Sequence, residues 1–128
     1  MAIQMSEKTI ADKMYLKNAK SLAILNGAAH PRVVEQLPQS LIVEGEAPAD
    51  VVLLFALNRD QLEKLLPEAL ARLGEKGSLW IAYLKQTASK ATDINRDSIN
   101  AYAKENGVTG VAMISMDSDW SALRLKRL

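Results

Sequence analysis

The chain has 128 residues, 48% of them hydrophobic and 24% charged, with sixteen Lys and Arg against fifteen Asp and Glu and a net charge of +1. That profile belongs to one globular domain long enough to fold without a metal or disulfide. The absence of cysteine excludes thiolate zinc sites and thiol nucleophiles, the single histidine, His30, excludes multi-histidine metal centres, and the balanced charge argues against nonspecific nucleic-acid binding.

The opening Met1-Ala2-Ile3-Gln4-Met5-Ser6-Glu7-Lys8 lacks the charged-then-apolar order of a secretion signal. No stretch reaches the roughly 20 apolar residues of a membrane span. A cytoplasmic domain without membrane or nucleic-acid partners is expected. Ser6 is placed to cap a short helix that carries Ile10 and Met14 on one face. Residues 21–26 form a short apolar run closed by Gly27, which reads as a first strand, and Pro31 suits the first turn of a brief helix with Val33, Val34 and Leu37. Residues 41–44 read as a second short strand. Residues 50–56 are apolar from Val51 onward, as in a strand covered on both faces.

Asn58 and Gln61 have the spacing of a capping box, and Leu62, Leu65, Leu66, Ala69, Leu70 and Leu73 make one apolar helix stripe. Pro67 costs about 3 kcal/mol in a regular helix interior, so the helix is expected to break there and reopen, with Gly74 and Gly77 ending it. Residues 78–84 read as the next strand, and Ile99, Tyr102 and Ala103 mark a helix that stops at Asn106-Gly107. Residues 111–116 and 121–126 are close enough to form an antiparallel hairpin, whereas the earlier strands, separated by helices, should be parallel.

Three runs in residues 50–85 carry a resemblance: Asp-Val-Val-Leu-Leu-Phe, Leu-Leu-Pro-Glu-Ala-Leu-Ala-Arg-Leu-Gly and Gly-Ser-Leu-Trp-Ile-Ala-Tyr. They resemble the fourth and fifth strands of Rossmann-like S-adenosylmethionine methyltransferases, and the terminal hairpin resembles their last two strands. More closely, Tyr83-Leu84-Lys85, the segment 92–98 and the ending Asp119-Trp120-Ser121-Ala122-Leu123-Arg124 resemble an uncharacterised bacterial family of small proteins of unknown function, with Trp-Ser-x-x-Arg as its mark. The resemblance implies an α/β fold: a three-layer, Rossmann-like mixed sheet of about six strands, mostly parallel with a C-terminal antiparallel hairpin. It also implies the spatial order second, first, third, fourth, sixth, fifth. It supplies no activity.

Methyltransferases place an acidic residue and a Gly-x-Gly-type loop after the first strand, so that backbone can approach the cofactor. Here that region reads Ala23-Ile24-Leu25-Asn26-Gly27-Ala28-Ala29-His30-Pro31, with one glycine and no acid. Glu44 ends the second expected strand, where the family can hold a ribose, but solvated charge explains an exposed Glu as well. No Asn-Pro-Pro-Tyr-like motif follows Phe55. Methyl transfer is therefore not expected, and no cofactor is assigned. His30 reads as a surface or loop-capping residue, no Gly-x-Ser-x-Gly elbow or P-loop is present, and Asp93, Asp97, Asp117 and Asp119 read as capping and turn residues rather than cation ligands.

Lys85 lies just past a parallel strand's carboxyl end, where ligands of open α/β sheets bind. It groups with Thr92, Asp93, Asn95, Arg96, Trp120, Ser121 and Arg124 as candidate ligand or partner contacts. The same residues have a structural reading: Thr92 or Asp93 caps the following helix, Arg96 pairs with a carboxylate, and Trp120 anchors the hairpin. The expected function is that of a non-catalytic methyltransferase-like domain acting through protein association. The alternative is a binder of small anionic molecules, or an enzyme, using the crevice near Lys85 and Arg96.

Overall fold

Five segments form one mixed sheet: β1 (Leu22–Leu25), β2 (Ala49–Phe55), β3 (Leu73–Leu84), β4 (Val108–Ser115) and β5 (Trp120–Arg127), in the order β1-β2-β3-β5-β4. The structure, a computed structural model, describes residues 9–16, 19–45, 47–85 and 93–128. β1, β2 and β3 are parallel, and β5 is antiparallel to both β3 and β4. The last strand in sequence thus inserts between its two predecessors, as the methyltransferase resemblance implies. Among the described residues, four α-helices cover the sheet: α1 (Ile10–Lys13), α2 (Pro31–Glu35), α3 (Arg59–Arg72) and α4 (Arg96–Glu105).

Alternation along the strands builds two cores. Val52 and Leu54 of β2 and Leu79 and Ile81 of β3 meet Leu62, Leu66 and Ala69 of α3 and Ile99 and Ala103 of α4 on one face. On the other face Leu53, Phe55, Trp80 and Ala82 pack with Ile10, Met14 and Val33. Because both faces of β2 and β3 are covered, these strands carry apolar residues at consecutive positions.

Several expectations are corrected. Residues 41–44 do not form a strand. A 3-10 turn at Gln39–Leu41 takes the first of these residues, Gly45 at φ +87° turns the chain away, and an Ile42 to Leu22 bridge is what forms between them, with Val43 N–H donating to the Leu22 carbonyl at 2.9 Å. The bridge lies beside β1, where the second strand was expected, so five strands stand in place of six. Pro67 does not break α3, which runs unbroken from Arg59 to Arg72. The hydrogen bond that Pro67 cannot make would have met the Glu63 carbonyl, and both residues are exposed. Burial of Leu62 and Leu66, about 1.5–3 kcal/mol each, offsets the proline. Gly74 and Gly77 do not end the helix either, since α3 passes into β3 at Leu73, whose backbone is already extended. A Cβ on Gly77 would lie 2.9 Å from both the Asp50 carbonyl oxygen and Leu73 Cδ1, so close approach of β2 and β3 requires the glycine. Thr9, not Ser6, caps α1, while Ser6 lies outside the described residues.

Candidate functional site

From β1 the chain crosses to the Ile42 bridge on one side and then to β2 on the other, so the topological switch point falls between the carboxyl ends of β1 and β2. Ligands of open α/β sheets bind in the crevice at such a point. Here Asn26 occupies it. Its backbone is left-handed at φ 60°, a conformation Asn tolerates better than most residues, and its Nδ2 donates to the Phe55 carbonyl at 2.9 Å and to Gln61 Oε1 at 3.0 Å. Gln61 Oε1 also accepts from Leu57 N–H at 2.9 Å, so its side chain tethers the end of β2 instead of completing a capping box with Asn58. Asn58 Oδ1 still caps α3 through Gln61 N–H. A Cβ on Gly27 would lie 3.0 Å from Ile24 Cγ2 and 3.2 Å from Val34 Cγ2, so local packing accounts for this glycine.

His30 is half-buried rather than an open surface residue, and it stands at the N-cap of α2. Although it precedes α2, its side chain makes no capping bond there. Its Nε2 lies 2.6 Å from Asp117 Oδ2, and its ring centroid lies 5.3 Å from Trp120 and 6.4 Å from Phe55. Asp117 Oδ1 meanwhile accepts from Asp119 N–H and Trp120 N–H, both at 2.8 Å, which makes the turn of the β4–β5 hairpin. Partial burial works to raise the Asp117 pKa. The hydrogen bond from His30, the two backbone donors and the charge of His30 outweigh it and hold the carboxyl below its ordinary 3.8.

Beyond the end of β3, an open cleft of about 330 Å³ is lined by Tyr83, Lys85, Asn95, Arg96, Asp97, Met113 and Ser121. The crevice expected near Lys85 exists. Lys85 Nζ is fixed by bonds to Ser115 Oγ and the Asp117 carbonyl, both 2.7 Å. Arg96 projects outward, with Nε 3.4 Å from Asp97 Oδ1 and both side chains exposed. Tyr83 donates to Met113 Sδ at 3.0 Å. Burial pushes its phenol pKa up, against the lowering effects of the Arg96 charge and a Ser121 hydrogen bond, so it stays protonated at neutral pH.

The structure therefore divides the candidate residues. Lys85, Asn95, Arg96 and Ser121 share the cleft. Trp120 and Arg124 lie on the opposite sheet face: Trp120 packs on Phe55 at 5.7 Å, and Arg124 donates to Ser78 Oγ at 3.2 Å with its guanidinium 5.7 Å from the Tyr15 ring centre. Asp93 is remote in role, accepting from Arg59 N–H at 2.9 Å at the start of α3, and Thr92 lies outside the described residues. The cap of α4 is Asn95, in a reciprocal box with Ser98, rather than Asp93. Reasoning from the sequence missed the His30–Asp117 pair and the closing role of Asn26 and Gln61. Partners 87 and 35 residues apart leave no local pattern. Among the described residues, no group of three His, Cys, Asp or Glu side chains can hold a metal, and no helix is long and apolar enough to cross a membrane.

A family model described as "Protein of unknown function (DUF3052)" matches residues 30–128. No curated protein is similar enough to match. Solved methyltransferase structures share the fold. The mitomycin 7-O-methyltransferase MmcR superposes with a TM-score of 0.62 at 9% identity, over 86% of this chain and 49% of its own, so the chain spans about half that enzyme's length. A TehB-like SAM-dependent methyltransferase from Corynebacterium glutamicum gives 0.58 at 10% identity over 99% of this chain and 92% of its own. A ribosomal protein L11 methylase from Lactobacillus delbrueckii subsp. bulgaricus gives 0.53 at 16% identity over 92% and 63%.

Proposed function

The chain belongs to the DUF3052 family of proteins of unknown function, and on that premise we propose that it is a non-catalytic domain of methyltransferase-like fold that acts through protein association. One observation carries this reading: Asn26 spans the switch-point crevice and bonds to Phe55 and Gln61, where a cofactor loop would present bare backbone. A ligand entering there would have to break both part-buried bonds, at about 0.5–1.5 kcal/mol each, with Gln61 Oε1 keeping its bond from Leu57 N–H. The aromatic packing of His30, Phe55 and Trp120 supports the same view, since it fills the adjoining space with side chains.

Equilibrium dialysis and titration calorimetry with S-adenosylmethionine test the reading. No binding is expected. A dissociation constant in the low micromolar range, about −8 kcal/mol, would overturn it. A second reading, an anionic ligand in the cleft beside Lys85 and Arg96, is favoured by the fixed ammonium of Lys85 facing a cleft of about 330 Å³. Binding of inorganic phosphate that disappears in Arg96→Gln would favour it over the first.

A further inference from the structure

We propose that the outer edge of β4 is a self-association surface, on which two copies of the chain pair their β4 strands antiparallel about a two-fold axis. This rests on the association reading and names its surface and partner. β4 ends the sheet, and among the described residues no segment pairs with its outer side, whereas the opposite edge at β1 is bridged by Ile42. Edge strands that stay unpaired are usually blunted by charges or proline. The β4 sequence Val-Thr-Gly-Val-Ala-Met-Ile-Ser has neither. Two of its large apolar side chains stand in solvent, Val111 at 45% and Met113 at 48% exposure.

A bulge between Gly110 and Ala112 interrupts this edge and leaves Val111 without a partner in β5, and Asn100 Oδ1 of α4 accepts from Gly110 N–H at 2.8 Å, so the strand before the bulge is partly covered. From Ala112 to Ser115 the strand is regular again. The Ser115 carbonyl accepts from Lys13 Nζ at 2.9 Å, which closes the pairing stretch at that end. Beside the strand, a groove of about 240 Å³ runs under α4 between Arg96, Asp97 and Asn100 on one side and Val111 and Met113 on the other.

Charge selects the occupant. A two-fold contact sets a patch against itself, so it must be self-complementary. An uncharged strand brings no like charges face to face. Its rim carries Arg96 and Asp97 side by side, so each sign has an opposite one to meet, whereas a strongly acidic or basic partner would gain little. The net charge of +1 adds little long-range repulsion.

Sedimentation equilibrium of the full chain should give twice the 14.0 kDa chain mass at micromolar concentration. Val111→Lys and Met113→Lys should lose the doubled mass with unchanged far-UV circular dichroism. Tyr15→Lys, which removes a still more exposed ring on the other face, should keep it. Because the chain has no cysteine, Val111→Cys should cross-link copy to copy under mild oxidation while Tyr15→Cys does not, a readout that holds even if a lysine variant folds poorly. A parent that stays monomeric at high micromolar concentration would overturn the proposal, as would a dimer that persists in both lysine variants without a Val111→Cys cross-link. Either result leaves the non-catalytic reading to its own S-adenosylmethionine test, and cofactor binding by an edge-paired dimer would overturn that reading alone.

Discussion

Trp120 re-enters the sheet from a turn held by Asp117, and its ring is 6% exposed between His30 and Phe55. A ring so placed stabilises by burial and by edge-to-face contact with Phe55. Trp120→Ala should therefore lower unfolding stability by about 3–5 kcal/mol through lost burial and a cavity, read as a fall in the urea midpoint at constant slope. An unchanged midpoint would show that the ring contributes little. The inward turn of this ring was legible, because the four residues 117–120 are polar until the last. Its neighbours were not, since His30 lies 90 residues earlier and nothing in its local sequence points to the hairpin.

Helix α4 shows how far an element can be read from its own residues. Ile99 and Ala103 define its buried stripe and Asn106-Gly107 its end, all by local spacing. The cap was misplaced because three polar residues, Thr92, Asp93 and Asn95, precede the helix and any can accept a backbone N–H. Asn95 is the one whose Oδ1 meets Ser98 N–H, at 2.9 Å, while Ser98 Oγ accepts from Asn95 N–H at 2.9 Å. Asn95→Ala should cost about 1 kcal/mol and Asn95→Asp should recover most of it, as Asp caps equally well; thermal unfolding of the two variants distinguishes this from a role in the cleft, where the loss would appear in binding and not in stability. The continuous α3 makes the complementary point. Propensity at Pro67 predicts a break, but propensity is a local term of about 3 kcal/mol, and the tertiary burial of the Leu62, Leu66 and Ala69 stripe exceeds it.

For the molecule as a whole, the His30–Asp117 contact ties the turn after β1 to the β4–β5 hairpin across 87 residues of chain. The folded state holds the Asp117 carboxyl below its ordinary 3.8, so the ionised form is favoured by folding. The resulting stability is fully present above the unfolded pKa and is lost as pH falls through the folded one. Urea midpoints of the parent should thus exceed those of Asp117→Asn near neutrality, with the gap narrowing as pH drops below about 4. A gap independent of pH would show that the carboxylate's charge does not contribute. The sequence by itself determined the α/β class, the parallel start and antiparallel finish of the sheet, and most residues of both cores, because strand alternation, helix spacing and turn chemistry act between near neighbours. Only the tertiary structure decided that residues 41–44 reduce to a bridge, that Asn26 closes the switch-point crevice, that Trp120 and Arg124 lie on the face away from Lys85, and that among the described residues no strand pairs with the outer edge of β4. Each depends on contacts between segments 20 or more residues apart, whose free energy comes from burial and hydrogen bonds that no local pattern encodes.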